Sequence, residues 1–153
     1  MKKMTMSIFA MIFFLLVILP GQTDAQTDKP YESGTVWNLT FVKLHANMGD
    51  EYLKGLNKTW KASMDEMVKQ KLIVSYKILS GQAANEDDFD LLLMVEMENL
   101  ASLDPNPERD KKMDEVEKKV VDAMGDEFKK TVSSYSTMRD IQGSKMMREI
   151  YLK

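Results

Sequence analysis

The sequence predicts an α+β fold with elements in the order β-α-β-β-α-β, in which a four-stranded antiparallel sheet carries two helices on one face. Hydrophobic residues alternate with polar ones in some stretches, which is typical of strands, and recur every three or four residues in others, which is typical of helices. β-Branched and aromatic residues concentrate in the alternating stretches. The 153 residues contain no cysteine, so we expect one domain whose core is held by packing.

The N-terminal segment predicts export. Two lysines precede the apolar run Ile8–Leu19, a Pro-Gly pair follows it, and small residues lead up to Ala25. This is the pattern of a secretory signal. The run is shorter than the roughly 20 residues of a spanning helix. We therefore expect a signal peptide over residues 1–25, cleaved after Ala25, and a periplasmic or secreted protein with no membrane contact after cleavage; a retained anchor is the alternative.

The first half of the domain predicts a strand and a helix. Residues 26–34 are polar and contain a proline and a glycine, which favours a disordered lead-in to a domain over residues 35–153. Thr35–His45 is rich in β-branched and aromatic residues and predicts the first strand. Asp50–Lys71 has helical spacing of its apolar residues and acids in its first turn, where they complement the helix dipole.

The remaining strands are short. Leu72–Leu79 predicts the second strand and Phe89–Met97 the third, with a polar loop at residues 82–88 between them. Arg148–Leu152 predicts a short last strand at the end of the chain.

The second helix is expected to begin at Pro107, with Asn106 as its cap. An apolar stripe follows at helical spacing. Gly125 interrupts this stripe and predicts a kink or a break in the helix.

The third strand presents two different faces. Its fully apolar set, expected to pack under the helices, is Phe89, Leu91, Leu93, Val95 and Met97. The alternate set is Asp90, Leu92, Met94 and Glu96, apolar in the middle and charged at its ends. In the first strand we expect Trp37, Leu39 and Phe41 to face the helices and Asn38 and Thr40 to lie on the other side.

The mixed face is too apolar for solvent and too polar for a dry core. A second copy of the sheet would cover it, so the sequence predicts a homodimer that closes an eight-stranded barrel. Specific interfaces bury roughly 800 Å² per partner. The alternative is a monomer with an exposed sheet.

Several residues are candidates for a site on the mixed face. The expected ligand-binding residues are Asn38, Thr40, Lys77, Met94, Glu96 and Tyr151. Pockets pair an apolar lining with a few polar groups, as this set does. The polar members, with Asp90 and Glu149, are alternatively ion pairs at a dimer interface. The weak catalytic candidates are the single histidine, His45, with Asn38 and Glu96; as a plain alternative, His45 is a solvated residue at the strand end.

The composition argues against several functions. A formal net charge of −3 gives no basic surface for nucleic acid. Phosphate-binding loops, Gly-x-Ser-x-Gly elbows and His-Glu-x-x-His motifs do not occur. One histidine makes a poor metal site unless carboxylates join it, and none lies at ligand spacing near His45; cysteine ligands are absent. We expect neither a metal nor a cofactor.

The strand order and the two-faced strands resemble the dimeric α/β-barrel superfamily, which includes the antibiotic-biosynthesis monooxygenase-like and stress-responsive barrel proteins. This resemblance implies a ferredoxin-like topology. The segments TFVKLHANMGDEYLKGLNKTW, IVSYKILSG and GSKMMREIYLK also look like small secreted bacterial proteins without an assigned activity. Haem-degrading members of the superfamily use a histidine on the second helix; residues 107–138 contain none.

Three hypotheses of function remain open. The first is a binder of a small, partly apolar ligand. The second is a cofactor-independent monooxygenase or isomerase acting on an aromatic or quinone-like substrate. The third is an interaction module without a ligand. Whether the protein is an enzyme stays undecided by the sequence.

Overall fold

The computed structural model describes residues 29–153, so the expected signal peptide over residues 1–25 lies outside the described residues. The strands in the described part are β1 (Tyr31–Leu44), β2 (Ser75–Ser80), β3 (Leu91–Met97) and β4 (Arg139–Leu152). The helices are α1 (Gly49–Lys58), α2 (Trp60–Lys69), α3 (Pro107–Met124) and α4 (Asp126–Ser134). Short 3-10 turns lie at Leu100–Leu103 and Tyr135–Thr137.

The four strands form one antiparallel sheet in the order β2-β3-β1-β4. With α1–α2 after β1 and α3–α4 after β3, this is the β-α-β-β-α-β plan of a ferredoxin-like fold. The predicted fold class is therefore confirmed, and each predicted helix consists of two segments.

The first predicted helix is interrupted at Thr59, whose backbone has φ −103° and ψ −75°. The Thr59 hydroxyl donates to the Gly55 carbonyl at 3.1 Å and lies 2.5 Å from the Tyr135 hydroxyl. Threonine hydroxyls that bond back to the preceding turn bend helices. The prediction of one continuous helix over Asp50–Lys71 is wrong for this reason.

The second predicted helix breaks at Gly125, as expected. Gly125 has φ 58° and ψ −133°, a backbone conformation open to glycine. It ends α3 through a hydrogen bond from its N–H to the Val121 carbonyl at 2.8 Å, and α4 begins at the next residue.

The neighbouring strands β1 and β4 are both longer than predicted. β4 begins at Arg139 instead of Arg148, and β1 begins at Tyr31 instead of Thr35. Residues 31–34 of the expected disordered lead-in therefore belong to a strand, because β4 extends far enough to pair with them: Tyr31 lies opposite Leu152.

The second and third strands begin later than predicted. β2 begins at Ser75 instead of Leu72, since the Leu72 N–H donates to the Met67 carbonyl and closes the end of α2. β3 begins at Leu91 instead of Phe89.

The core lies between the sheet and the helices. Its main cluster of buried residues is Val42, Tyr52, Leu56, Leu91, Leu93, Tyr135 and Met138. The third-strand prediction holds at Leu91, Leu93 and Met97, which are all buried.

The predicted orientation of the first strand is wrong. Val36 lies opposite Met97 and Val42 opposite Leu91, so these valines share the helix side of the sheet and are 1% and 0% exposed. Alternation then places Asn38 and Thr40 on the helix side.

Candidate ligand-binding face

The side of the sheet away from the helices, called the open face below, presents one set of alternating side chains from each strand. Its members are Thr35, Trp37, Leu39 and Phe41 of β1, Ser75, Lys77 and Leu79 of β2, Leu92, Met94 and Glu96 of β3, and Lys145, Met147, Glu149 and Tyr151 of β4. Opposed residues of antiparallel strands share a face, so the register fixes this set.

The centre of the open face is apolar. Leu92 lies between Leu79 and Phe41, and the next row places Met94 beside Leu39. Leu39 is 7% exposed, although it lies on this side of the sheet. The Phe41 ring meets the Phe89 ring edge-on, with centroids 4.9 Å apart. The centre is thus a continuous apolar surface about three strands wide.

One end of the open face is polar and centres on Glu96. Its carboxylate accepts hydrogen bonds from the Thr35 hydroxyl at 2.7 Å and from the Ser75 hydroxyl at 2.5 Å. The Thr35 hydroxyl also lies 3.4 Å from a Glu149 carboxylate oxygen. One threonine therefore bridges two carboxylates. The hydroxyl protons are directed at the carboxylates, so this end offers acceptors to any molecule that reaches it.

Tyr151 belongs to the same end. The neighbouring Glu149 carboxylate is the first cause, and desolvation and the charge of Glu96 are further causes, of a pKa of Tyr151 raised above the usual value for tyrosine. Its ring lies against Gly34, where an added Cβ would stand 2.8 Å from the ring and 3.1 Å from the Glu149 Cβ. Glycine at this position lets the ring approach the β1 backbone closely.

Lys77 lies between the apolar centre and the polar end. Its ammonium is 4.3 Å from the centroid of the Trp37 ring, within cation–π range. The row that joins Lys77, Met94, Leu39 and Lys145 across the sheet therefore carries a cation at each edge and apolar groups between.

His45 follows β1, at the opposite end of the strand from Thr35. Its Nδ1 lies 2.9 Å from the Thr137 carbonyl and its Nε2 lies 3.0 Å from an Asp140 carboxylate oxygen. Both partners are acceptors, so only the doubly protonated ring donates to both. The Thr137 carbonyl first, and then Asp140, raise the pKa of His45 above 6.5. The ring ties the β1–α1 loop to the start of β4 and has no free nitrogen for a base.

The structure brings together part of the predicted site. Four predicted residues share the open face: Lys77, Met94, Glu96 and Tyr151. Asn38 and Thr40 lie on the opposite side of the sheet, which faces the helices.

The three weak catalytic candidates are dispersed. Asn38 lies on the helix side, Glu96 at the polar end of the open face, and His45 beyond the far end of β1. They form no common constellation in the described chain.

Besides Trp37, Leu39 and Phe41, which were expected on the helix side, three hydrogen-bonding residues were not predicted. Ser75 and Thr35 hold Glu96, and Asp140 holds His45. Ser75 lies two residues before Lys77 in the predicted second strand, so strand alternation could have placed it on the same face. Asp140 lies outside the predicted last strand, and no sequence pattern indicates its contact with His45. Asp90, expected among the polar groups of the mixed face, accepts a hydrogen bond from the Leu44 N–H at 2.7 Å and so fixes the end of β1.

Across residues 29–153, no group of three or more His, Asp or Glu side chains is arranged to hold a metal ion. No helix in that range is long and apolar enough to cross a membrane.

Comparison with known proteins yields one structural likeness. No family model and no curated protein matches the chain. The match is a crystal structure of a dimeric protein of unknown function and ferredoxin-like fold from Bacteroides fragilis. The two sequences are 15% identical, and the structures superpose with a TM-score of 0.37. The match covers 78% of this chain and 97% of that chain. The ferredoxin-like class stated above follows from this chain's own strand order and does not depend on that likeness.

Proposed function

We propose that this protein is exported and forms a homodimeric unit that binds a small, partly apolar molecule between two stacked copies of the open face. The observation that carries the proposal is an apolar sheet centre, around Phe41, Leu92 and Met94, that adjoins a carboxylate end on the side away from the helices.

A second copy of the chain suits the open face in size. With strands ~4.8 Å apart and ~3.3 Å of rise per residue, the four strands cover a flat area on the order of 600 Å². Side-chain relief adds to this value. Stable interfaces bury roughly 800 Å² per partner, which is the same order.

The charges of the face also suit a second copy. The polar end carries Glu96 and Glu149, and the neighbouring row carries Lys77 and Lys145. Two copies stacked about a two-fold axis in the plane of the sheet can place the acids of one copy over the lysines of the other. Opposed potentials of this kind favour association in one register.

The chemistry of the face indicates the kind of ligand. Leu39, Phe41, Leu92 and Met94 supply an apolar lining, and Trp37 supplies a flat aromatic surface. Glu96 supplies acceptors at one end. Pockets of this composition orient a ligand by a few polar contacts and gain affinity from apolar burial. The ligand we propose is therefore apolar over most of its length, with a hydrogen-bond donor at one end.

Export rests on the sequence. The basic start, the apolar run Ile8–Leu19 and the small residues up to Ala25 support a cleaved signal and a periplasmic or secreted location. A chain without cysteine is compatible with an oxidising compartment, since it has no thiol to mispair.

The alternative of a cofactor-independent monooxygenase or isomerase receives less support. Both nitrogens of His45 are engaged by acceptors, and Asn38 and Glu96 lie on opposite sides of the sheet. A general base needs a free acceptor atom within reach of the substrate. The ligand-free interaction module differs from the binder only in what occupies the space between the stacked faces.

Native mass spectrometry of the protein purified from its own host tests the proposal. We expect an assembly with an even number of chains that retains a small molecule. Glu96→Gln removes a charged acceptor and should reduce the retained fraction about tenfold, since a hydrogen bond to a charged group contributes about 1.5–3 kcal/mol. Glu98→Gln, the same change at an exposed position after β3, is the control.

The outcomes separate the hypotheses. A monomeric wild type contradicts the stacked faces. An assembly that carries no small molecule contradicts the ligand and favours the interaction module. Equal retention in the Glu96 and Glu98 variants contradicts the assignment of the polar end.

A further inference from the structure

β4 is an edge strand with unusual exposure. It has 14 residues and lies at the edge of the sheet, whereas β2 at the other edge has 6. Its exposed large apolar residues are Ile141, Met146, Met147, Ile150, Tyr151 and Leu152. Natural proteins protect edges with short strands, prolines, bulges or charged side chains, because a free edge presents unpaired N–H and C=O groups. β4 is long and contains no proline, and its own bulge lies between Ile141 and Gly143, before the part of the strand that carries most of the exposed apolar residues.

The terminal part of β4 has little support from its own chain. β3 pairs with β1 only from Val36 to Val42. Tyr31–Ser33 and Ile150–Leu152 therefore form a ribbon of two strands beyond the sheet. A two-stranded ribbon is marginally stable in water, and three strands are the usual minimum. A third strand along the free edge of β4 would complete it.

We propose that the free edge of β4 pairs in antiparallel fashion with β4 of a second copy, about a two-fold axis at Met147. This contact uses the sheet edge and goes beyond the face-to-face contact of the proposed function. In this register Lys145 lies opposite the partner's Glu149, and Glu149 lies opposite the partner's Lys145. Opposite charges on facing strands stabilise the pairing.

The same register suits the other side chains of the open face. Met147 meets the partner's Met147 at the axis, and Tyr151 lies opposite the partner's Gly143. An aromatic ring over a glycine of the neighbouring strand compensates for the missing side chain. An axis normal to the sheet keeps each residue on its own face, so all these pairs lie on the open side.

Neighbouring registers are less favourable. An axis at Lys145, Arg148 or Glu149 places a charged residue opposite its own copy, and like charges directly opposed destabilise the pairing. An axis at Met146 pairs Lys145 with the partner's Met147 and forms no ion pair. An axis at Ser144 also forms ion pairs, Arg139 with the partner's Glu149 and Asp140 with the partner's Arg148, but it leaves Ile150–Leu152 without a facing strand, since β4 begins at Arg139. Only the axis at Met147 combines opposed charges with a third strand along the terminal ribbon.

The two contacts are compatible in one assembly. The axis of the edge contact is normal to the sheet, and the axis of the stacked faces lies in its plane. Two perpendicular two-fold axes that intersect generate a closed tetramer. With the in-plane axis crossing the edge axis, we expect the wild type to be a tetramer of two stacked eight-stranded sheets.

Light scattering on the purified full chain, coupled to size-exclusion chromatography, tests the edge contact. Met146 lies on the helix side of the sheet, away from the open face, and in this register it lies opposite the partner's Arg148. Met146→Lys therefore places like charges opposite each other twice and should halve the mass of the wild-type assembly. Met146→Glu places opposite charges there and should keep the mass. Lys111→Glu, a charge reversal at an exposed position of α3, is the control and should leave the mass unchanged.

The proposal is overturned if Met146→Lys keeps the wild-type mass, or if Met146→Glu falls to half of it while retaining the wild-type circular dichroism. A substitution on the open face, discussed below, reports on the stacked faces separately. Failure of one contact can thus be told from failure of the other.

Discussion

His45 illustrates how a single side chain joins distant parts of the chain. Its partners lie more than ninety positions further on: Thr137 ends the 3-10 turn before β4, and Asp140 is the second residue of β4. Since both partners accept, the contact favours the charged imidazolium. At the residue scale, the protonated His45 ring links the loop before α1 to the segment that follows α4.

The titration of His45 is a direct prediction. The chain has one histidine, so its imidazole resonances in an NMR titration need no assignment. We expect a pKa above 6.5, because the Thr137 carbonyl and Asp140 both stabilise the protonated ring. Asp140→Asn should lower the pKa of His45, but the pKa should stay above 6.5 because the Thr137 carbonyl still accepts a hydrogen bond from the ring. A wild-type pKa at or below 6.5 would show that the tie is absent.

The same contact gives the sign of a pH effect on stability. A pKa raised by folding means that the folded state binds the proton more tightly. The stabilisation is complete below the pKa of the unfolded state, about 6.5, and is lost as pH rises through the folded pKa. Urea titrations measure the free energy of unfolding at each pH. In His45→Gln, this free energy should no longer fall between the two pKa values. Lys69→Gln, a substitution at an exposed helix position, should keep the wild-type fall.

Helix packing depends on Gly55 at the scale of elements. A Cβ there would stand 2.8 Å from a Tyr135 ring carbon and 3.2 Å from the Thr131 methyl carbon. Tyr135 is buried and its hydroxyl bonds to Thr59. The absence of a side chain lets α1 approach the turn after α4 and positions the bond that accompanies the break at Thr59.

We expect Gly55→Ala to lower the free energy of unfolding by about 1–3 kcal/mol, the usual cost of overpacking. Gly81→Ala is the matched control, since its Cβ meets no atom within 4 Å. It should change stability by less than about 0.5 kcal/mol. Chemical denaturation followed by tryptophan fluorescence measures both. Equal midpoints for the two variants would contradict the close packing at Gly55.

Element types were largely predictable from the sequence, whereas orientation and length were not. Both alternating sets of β1 are apolar: Trp37, Leu39 and Phe41 on one side, Val36 and Val42 on the other. Hydropathy alone does not choose between them, and the pairing with β3 does. The first part of β4 was missed because its sequence, with Gly143 at a bulge, lacks a regular alternation.

Residues of the candidate site were predicted correctly only on strands whose orientation was also predicted correctly. Lys77, Met94 and Glu96 lie on β2 and β3, whose alternation was interpreted correctly, and they share the open face. Asn38 and Thr40 followed the wrong orientation of β1. Thr35 was hidden because a register shift between Ser33 and Val36 alters the regular pairing there.

At the scale of the whole molecule, the helices cover one side of the sheet, and the open face lies on the other. The open face combines an apolar centre with carboxylates at one end and lysines beside them. We propose that a second copy of the chain covers this face.

The most direct test compares Leu79→Lys with Leu103→Lys by light scattering. The two leucines are 51% and 56% exposed, so the substitutions should affect folding similarly, but only Leu79 lies on the open face. A charge buried without a partner costs several kcal/mol. We predict that Leu79→Lys halves the mass of the assembly while Leu103→Lys keeps the wild-type mass. Equal masses for Leu79→Lys and the wild type would contradict the covered open face.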